Sequence, residues 1–394
     1  MDLASFRDLL APAGQEVLHA AESREPREED FLAHFQALSR DFPAELAKAA
    51  LEIAILRREA ALKFPQAGRM YFTREALEQA SPSEVSVYQA GRYHAFGALA
   101  DLGCSIGGDT FSLSAAAPTI GIDLDPLRLA MASANARALG LEARVSFLRA
   151  DLNASLPLAP SPGMALFFDP ARRAGGRRAF SVREYSPPLA VLPGWLGRFP
   201  AAGVKISPGV KLGELSSYDA EVEFISLRGD LKEAVLWFGS LKTAWRRATV
   251  LPGPYTLAVR DPGDDMPRLP LVEPQAYLYE PDPAVLRAGL VAILGEQLEA
   301  AQLDPDIAYL TATTRRETPF ARVWAVEDWF PFGLKRLRAY LRERGVGRVV
   351  VKKRGSPLQP EALVRDLRLR GLEERVIFLT HLVGKPVVVI ARQL

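Results

Sequence analysis

The stretch from Phe96 to Asp125 constrains the fold of this chain more than any other. An apolar run from Phe96 to Leu102 leads into the turn sequence Asp101-Leu-Gly-Cys-Ser-Ile-Gly-Gly-Asp109, and a segment compatible with a helix follows. A second apolar run, Thr119 to Ile122, ends in an acid, Asp123. This order predicts a buried strand, a glycine-rich turn, a helix and a second strand that ends in a carboxylate.

The spacing within this unit predicts a binding site for a nucleoside. Glycine lets the backbone turn tightly after a strand and lets a ligand approach the main chain closely. The N-terminus of the following helix offers unpaired N–H groups to a polar or anionic group. An acid about 20 residues on, here Asp123, can accept hydrogen bonds from two ribose hydroxyls. A glycine turn alone also occurs in plain α/β proteins, so it is the acid that favours a binding site.

The order of residues in the turn separates two classes of nucleoside cofactor. Dinucleotide sites use G-x-G-x-x-G, in which the third glycine packs a helix that faces a pyrophosphate. Here the turn reads D-x-G-x-S-x-G-G, with Asp101 before the first glycine and Ser105 in place of a middle glycine. This resembles motif I of class I S-adenosylmethionine (SAM) methyltransferases, written [DE]-x-G-x-G-x-G. Serine is small enough to keep the close approach.

Length and composition exclude several classes of protein. A chain of 394 residues is long enough for two or three domains. It has no apolar run of about 18 residues, so we expect no membrane-spanning helix, and its N-terminus lacks the basic-then-apolar pattern of a signal peptide. A single cysteine excludes an intrachain disulfide framework, and the four histidines show no metal-ligand spacing. We therefore expect a cytoplasmic protein without a metal site.

Charge is unevenly distributed along the chain. The net charge is +2, yet residues 328–394 hold 15 Lys and Arg against 6 Asp and Glu. The rest of the chain holds 34 basic and 41 acidic residues. A basic module on a mildly acidic body favours a polyanionic partner, although a solvated charged surface has the same composition.

Periodicity predicts a helical segment over residues 1–68. Apolar residues recur three and four positions apart, as in Phe31, Phe35 and Leu38, and prolines divide the segment into about three helices. The residues of this segment indicate no particular chemistry, and we interpret it as a helical cap or a lobe on the substrate side. A further helix is predicted from the capping box Ser81-Pro-Ser-Glu84 to about His94.

Strands and helices alternate over residues 69–251, the predicted catalytic domain. A strong helix is expected from Leu127 to Leu139. Apolar runs predict five further strands, the last two as a hairpin, at Val145–Arg149, Met164–Phe168, Gly203–Ile206, Glu221–Leu227 and Ala234–Phe238. The pattern predicts an α/β fold, a doubly wound, Rossmann-like sheet of seven strands with both faces covered.

Four acids stand at the predicted carboxyl ends of four strands: Asp101, Asp123, Asp151 and Asp169. Cofactors in doubly wound sheets bind outside the strand C-termini. The four carboxylates are therefore expected to form one rim, which is the strongest evidence for a site in the sequence.

Asp169 begins the sequence Asp-Pro-Ala-Arg172. Class I methyltransferases that act on nucleic-acid amines carry [DNS]-P-P-[YFW] here, where the polar residue accepts from the target N–H and the aromatic stacks on the base. Asp169 and Pro170 match this pattern, whereas Arg172 replaces the aromatic; Phe180 and Tyr185 are candidates for the stacking role. Such a site works mainly by orientation and electrostatics.

The same sequence, D-P-x-R, also resembles pyrimidine C5 methyltransferases, which need a cysteine nucleophile. The only cysteine, Cys104, lies in the cofactor turn. C5 chemistry is therefore disfavoured, N-methylation is favoured and O-methylation stays open.

An arginine-rich loop follows Asp169. Its five arginines flank Gly175-Gly176 and are Arg172, Arg173, Arg177, Arg178 and Arg183. Such a loop beside the site suits contacts with phosphate; a solvated loop without a partner is the alternative.

Proline- and glycine-rich residues 252–275 indicate a linker, and residues 276–394 a small α+β domain. The predicted elements of this domain are helices at Val285–Leu298, Leu334–Arg344 and Pro360–Arg370 and strands at Arg348–Lys353, Arg375–His381 and Pro386–Ala391. Lys352, Lys353 and Arg354 form a basic tip at a strand end.

Two groups of segments resemble one known family. YLYEPDPAVLRAGL and PFARVWAVEDWFPFGLKRLRAYLRERGVGRVVVKKRG look like the THUMP-like domain of bacterial class I methyltransferases. MYFTREALEQAS, DLGCSIGGDTFSLS, GIDLDPLRLAMASANA and FFDPARRAGGRR are similar to that family's catalytic half, which is in turn similar to trimethylguanosine synthases. The resemblance covers roughly residues 70–394; it implies SAM binding and suggests RNA as the substrate.

The resemblance and the strand-end positions together assign expected roles. Asp101, Gly103, Ser105 and Gly107 are expected to line the methionine part of SAM, Asp123 and Leu124 to hold the ribose side, and Asp151 to reach the adenine. Asp169 and Pro170 are expected to hold the methyl acceptor. The expected RNA contacts are Arg172, Arg173, Arg177, Arg178, Lys352, Lys353 and Arg354.

The expected activity is methyl transfer from SAM to structured RNA, with tRNA and rRNA as candidates, and with the C-terminal domain docking the RNA. A small-molecule or protein methyltransferase is the first alternative. A non-catalytic RNA-binding protein with a degenerate methyltransferase fold is the second. The sequence leaves the nucleotide and the oligomeric state open.

Overall fold

The computed structural model describes residues 1–171, the backbone of 173–174 and 177–178, and residues 181–261 and 266–394. The helices are α1 (Leu3–Leu10), α2 (Pro12–Glu22), α3 (Phe31–Leu38), α4 (Ala44–Ala60), α5 (Arg74–Gln79), α6 (Ser83–Ala90), α7 (Gly108–Ala116), α8 (Pro126–Leu139), α9 (Leu192–Leu196), α10 (Pro283–Ala288), α11 (Val291–Leu298), α12 (Leu334–Glu343) and α13 (Pro360–Leu367).

The strands before residue 260 are β1 (Ala98–Leu102), β2 (Thr119–Asp123), β3 (Val145–Arg149), β4 (Met164–Phe168), β5 (Arg173–Ala174), β6 (Arg177–Arg178), β7 (Ala201–Ile206), β8 (Glu221–Leu227), β9 (Asp230–Gly239), β10 (Arg246–Leu251) and β11 (Tyr255–Val259). Those after it are β12 (Tyr277–Pro281), β13 (Ala301–Asp304), β14 (Ile307–Ala312), β15 (Ala321–Pro331), β16 (Val346–Lys353), β17 (Glu373–Leu382) and β18 (Lys385–Gln393).

The chain divides into two compact units. The first unit comprises Met1–Val222 and Lys232–Thr243, and the second comprises Glu223–Leu231 and Ala244–Leu394. Among the described residues, none of the helices combines the length and the hydropathy that crossing a membrane requires. The predicted four-segment division of the chain stays a prediction.

The helical N-terminus that periodicity predicted is present as four α-helices, α1 to α4, all in the first unit. Asp2 caps α1 by accepting a hydrogen bond from the Ser5 N–H at 2.8 Å, and Pro12 occupies the first turn of α2, where its missing N–H costs nothing. Buried side chains such as Phe6 and Leu51 join these helices in one apolar cluster. Met70, Tyr71 and Phe72 pack into the same cluster, so they belong to the core.

The sheet of the first unit has the order β9-β7-β4-β1-β2-β3. Neighbours from β3 to β7 are parallel, and β9 is antiparallel to β7. Strands β1, β4 and β7 are almost wholly buried, as expected of a parallel sheet with helices on both faces. The doubly wound, Rossmann-like α/β fold is thereby confirmed. Strands β8 and β9 are joined by Arg228 and Gly229, both at positive φ, as in a two-residue hairpin turn.

The second unit contains a sheet of seven strands in the order β13-β14-β12-β15-β18-β17-β16. Strands β16 and β17 pair in parallel, and the other neighbouring strands of this sheet are antiparallel. The helix predicted over Val285–Leu298 is two helices, α10 and α11, because Gly289 ends the first in a left-handed conformation (φ 72°). Strand β11 lies within the segment that composition indicated as a linker; its Leu257 and Val259 are buried in alternation with exposed neighbours, a pattern that the flanking prolines and glycines obscure.

Candidate functional site

The carboxyl ends of β1 to β4 open into a cleft of about 1140 Å³ within the first unit. Strand-end residues that line it include Gly103, Asp123, Asp151 and Asp169. The predicted rim is therefore present for three of the four acids. The fourth, Asp101, lies beneath the cleft with only 1% of its surface exposed.

The glycine turn after β1 has the tight backbone that its sequence predicted. Gly103 and Gly107 adopt φ values of 86° and 91°. A Cβ at Gly103 would stand 2.4 Å from the carbonyl oxygen of Asp169, so the group that approaches this glycine is the backbone of the β4 strand end. Ser105 is also left-handed, with φ 51°, and its N–H donates to Oδ2 of Asp123 at 2.9 Å. The turn thereby couples two of the predicted site residues.

Replacing Gly103 with alanine is expected to destabilise the first unit by about 3 kcal/mol or more, since the new methyl group meets backbone as well as unfavourable φ. Gly140 is the matched control: its φ is also positive, at 72°, but nothing lies within 4 Å of a Cβ there. Gly140→Ala should cost about 1 kcal/mol, the left-handed strain alone. Denaturant unfolding of both variants measures the difference, and equal losses would contradict the role of the Asp169 carbonyl.

Asp123 ends β2 and is 9% exposed. Its Oδ2 accepts from the Ser105 N–H and its Oδ1 accepts from the Asp125 N–H, each at 2.9 Å. A carboxylate held by two backbone donors has a fixed orientation and still offers lone pairs. The next residue, Leu124, is 54% exposed at the cleft wall and offers an apolar surface beside the acid.

Asp151 lies two residues beyond the end of β3 and is exposed at the cleft. Its Oδ1 accepts from the backbone N–H of Asn153 at 2.9 Å and from that residue's side-chain amide at 3.1 Å. The turn that follows thus orients the carboxylate, and its position at the rim is the one that the sequence predicted.

Asp101 is a buried acid with one unsatisfied oxygen. Its Oδ2 accepts from Thr110 Oγ1 at 2.5 Å, whereas Oδ1 has no hydrogen-bond partner among the described residues. Burial raises the pKa of Asp101 well above its usual value of 3.8, and the nearby Asp109 charge adds to the effect. An orphaned buried oxygen under a cleft is an acceptor that a ligand donor can satisfy.

A raised folded-state pKa means that Asp101 binds its proton more tightly in the folded chain than in the unfolded one. Its contribution to stability is complete below the usual pKa of 3.8 and is lost as pH rises through the folded pKa. Asp101→Asn removes this titration. We therefore expect the melting temperature of the variant, relative to wild type, to rise as pH increases above the usual pKa of 3.8. Parallel pH curves for the two proteins would contradict the shift.

Asp169 follows β4 and is held by a lysine that sequence reasoning missed. Lys205 Nζ, in β7, donates to Asp169 Oδ2 at 2.9 Å. The same ammonium lies 3.6 Å from Glu233 Oε2 and 3.7 Å from Asp109 Oδ2, and its side chain is only 2% exposed. The signal was a single lysine inside the apolar run Ala-Ala-Gly-Val-Lys-Ile, since lysine is almost never buried without a partner.

The capping box predicted at Ser81 is wrong. Helix α6 begins at Ser83 with Pro82 at the N-cap, and no side chain caps it. Ser81 Oγ instead donates to Glu233 Oε2 at 3.1 Å. Gln89 Nε2 donates to the other oxygen of Glu233 at 3.0 Å. Ser81 donates to Glu233 and does not cap the helix, because a buried carboxylate without donors costs more free energy than an uncapped helix end.

The arginine loop lies mostly outside the described residues. Arg172 and Phe180 fall outside them, and of Arg173, Arg177 and Arg178 only the backbone is described, as two short antiparallel strands. Tyr185 is 3% exposed, and its hydroxyl accepts from the Ser207 N–H at 2.9 Å. Tyr185 is thus a core residue in this structure and presents no face for stacking.

The basic tip of the second unit is partly neutralised within the fold. Lys352 Nζ lies 2.5 Å from Glu280 Oε2, and Arg354 lies 3.8 Å from the other oxygen of Glu280. Lys353 is exposed, and its ammonium donates to the Leu358 carbonyl. Glu280 was not among the predicted residues, because a glutamate 72 positions away in the sequence gives no local signal.

The residues at the cleft fit the cofactor that motif I implies. Gly103 and Gly107 allow the tight, left-handed backbone of the turn beside the cleft, Asp123 and Asp151 present fixed carboxylates, and Asp101 keeps an orphaned oxygen. These groups would hold the ribose, the adenine edge and the amino-acid end of SAM. SAM supplies an electrophilic methyl group on a sulfonium ion. Asp169, across the glycine turn, would then orient the acceptor.

Comparisons with known proteins show the family to which this chain belongs. An S-adenosylmethionine-dependent methyltransferase of Mycobacterium tuberculosis, itself called uncharacterized, is 37% identical over 346 residues, which are 84% of this chain and 92% of the relative. A crystal structure from Porphyromonas gingivalis W83, assigned as a methyltransferase, covers 93% of this chain and 99% of its own with a TM-score of 0.76 at 23% identity, and shows a shared fold.

Two family models match parts of the chain. A THUMP domain-like model matches residues 321–393, which run from β15 to β18. A model described as a domain of unknown function (DUF8688) matches residues 2–60, which are helices α1 to α4. The identity with the mycobacterial relative extends over most of both proteins. The chain therefore belongs to the S-adenosylmethionine-dependent methyltransferases and carries a THUMP-like domain at its C-terminus.

Proposed function

We propose that this enzyme transfers the methyl group of SAM to RNA and that the acceptor is a base nitrogen. The observation that carries the proposal is the charge of the THUMP-like region: residues 328–394 hold 15 Lys and Arg against 6 Asp and Glu, and most of those basic side chains are exposed. Phosphates are the natural counterions of such a surface.

The choice of nitrogen rests on Asp169. Its Oδ2 is taken by Lys205, whereas Oδ1 has no hydrogen bond within the part of the chain that the structure describes. An amine can donate one N–H to this oxygen and keep its lone pair for the methyl group. Asp169-Pro170 also matches the start of the motif that amine methyltransferases carry at this strand end.

We propose further that Arg172, Arg173, Arg177 and Arg178 contact the RNA backbone near the cleft. In the second unit, Lys353 is the best candidate of the basic tip, since Lys352 and Arg354 already pair with Glu280. Phosphate contacts give binding that weakens steeply with salt. We expect Lys353→Ala to reduce the slope of log affinity against log salt by about one. An unchanged slope would remove Lys353 from the interface.

Transfer of labelled methyl groups from SAM to total RNA tests the proposal directly. The RNA is extracted from a strain in which the gene for this protein is deleted, so that the target is unmodified. Half of the product is treated with ribonuclease before precipitation. We expect the precipitate to contain label, and we expect ribonuclease treatment to remove that label. Nucleoside mass spectrometry should then identify a base with an added methyl group on nitrogen.

Other outcomes contradict the proposal in different ways. A methylated ribose would keep RNA as the substrate and overturn the nitrogen. Label in a cell extract that resists ribonuclease would point to a protein or a small molecule. SAM binding without any transfer would point to an RNA-binding protein that has lost its activity.

A further inference from the structure

We infer that Lys205 is a positioning residue for methyl transfer: it holds one oxygen of Asp169 so that the other faces the acceptor. This inference deepens the proposed function and rests on it for the role of Asp169. The ammonium lies within 4 Å of three carboxylates, and it is closest to Asp169, at 2.9 Å against 3.6 Å and 3.7 Å for the others.

The surroundings of Lys205 leave it little freedom. Its side chain is 2% exposed in the buried strand β7. Glu233, on β9, is held by Ser81 and Gln89, and Asp109, on α7, accepts from the hydroxyl of Ser86. The ammonium is thus enclosed by acids that are themselves fixed. Of the three carboxylates, Asp169 is the most exposed, at 22% against 14% and 3%, and all three line the cleft.

Lys205 offsets the negative charges of the acids around Asp169. The negative charges of Asp109 and Asp169 act on both Asp101 and Glu233, and the positive charge of Lys205 opposes their effect on both. Lys63 and Lys232 lie near the same group. Burial raises the pKa of Glu233, and Lys205 opposes that rise. Without Lys205, Asp169 would face mainly like charges and would lose the donor that fixes its orientation.

The first test needs no methyl acceptor. Melting temperatures are measured for Asp169→Asn in the wild-type and in the Lys205→Met background. In wild type, the substitution removes a partner of a buried ammonium and should lower the melting temperature by about 3 °C. In Lys205→Met, the same substitution relieves repulsion among carboxylates and should raise it by about 3 °C. The same sign in both backgrounds would overturn the inference.

Lys63 supplies the matched control. It is also a lysine at the cleft, but its ammonium donates to the backbone carbonyls of Leu77, Glu78 and Ala80. In a Lys63→Met background, Asp169→Asn should lower the melting temperature as it does in wild type. A reversal there as well would show a general effect of cleft charge and would also overturn the inference.

The second test measures turnover with the RNA of the labelling experiment. For Lys205→Met we expect the affinity for SAM, by calorimetry, to stay within about threefold of wild type, and kcat per SAM-binding site to fall about 100-fold. Lys205→Gln keeps a donor for Oδ2 of Asp169 and should recover part of kcat. If Lys205→Met gives no folded protein, Lys205→Gln replaces it as the background in the comparison of melting temperatures. A kcat within about threefold of wild type would refute the positioning role.

The two proposals fail in distinguishable ways. If wild type labels no RNA, the proposed function fails. The comparison of melting temperatures still shows whether Lys205 and Asp169 stabilise each other. If wild type labels RNA and Lys205→Met does so equally well, the RNA proposal stands and Lys205 has no positioning role.

Discussion

Replacing Asp169 with alanine is expected to lower methyl transfer to RNA by about 100- to 1000-fold while SAM affinity stays nearly unchanged. Asp169 lies across the glycine turn from the proposed cofactor residues and presents one oxygen to the cleft. The loss should therefore fall on kcat, because the acceptor loses the group that orients it. Label transfer to total RNA and calorimetry with SAM measure the two quantities separately.

Asp219→Ala is the control for removing an acid that pairs with a lysine. Asp219 is 94% exposed, and its partner is Lys242. Exposed pairs of this kind contribute little, so transfer and stability should both match wild type. Turnover by Asp169→Ala close to that of Asp219→Ala would place the methyl acceptor elsewhere.

Replacing Asp123 with alanine is expected to weaken SAM binding by at least about 100-fold, the second large effect. The substitution removes the carboxylate proposed to bind the ribose hydroxyls. It also leaves the N–H groups of Ser105 and Asp125 without their acceptor, and Ser105 holds a left-handed conformation that this bond supports. Calorimetry with SAM gives the affinity, and melting curves show how much of the loss is due to the loosened turn.

Asp123→Asn and Asp125→Ala separate these contributions. Asparagine keeps one acceptor oxygen for the backbone, so its affinity should lie between wild type and Asp123→Ala. Asp125 caps α8 by accepting from Leu127 and Arg128, and its loss should cost about 1 kcal/mol of stability. SAM binding by Asp123→Ala equal to that of wild type would remove the ribose assignment.

Local patterns in the sequence predicted the order of the elements and three of the acids that line the cleft. The glycine turn after β1, the acids at the carboxyl ends of β1 to β4 and the apolar runs between them predicted the doubly wound sheet and a SAM-binding rim. Each of these signals lies within a few residues of the element it predicts. Motif I and the THUMP-like segments supported the family, which the mycobacterial relative then showed.

Tertiary structure decided which charges meet. The ammonium of Lys205, on β7, lies near Glu233, on β9, and Asp109, on α7, as well as near Asp169. The sequence around each of these residues does not indicate that they meet. Local sequence also gives no indication that Ser81 donates to Glu233 instead of capping α6, or that Glu280 pairs with the basic tip. A carboxylate and an ammonium are paired by the folding of distant segments, and their energies depend on burial that only the packed chain creates.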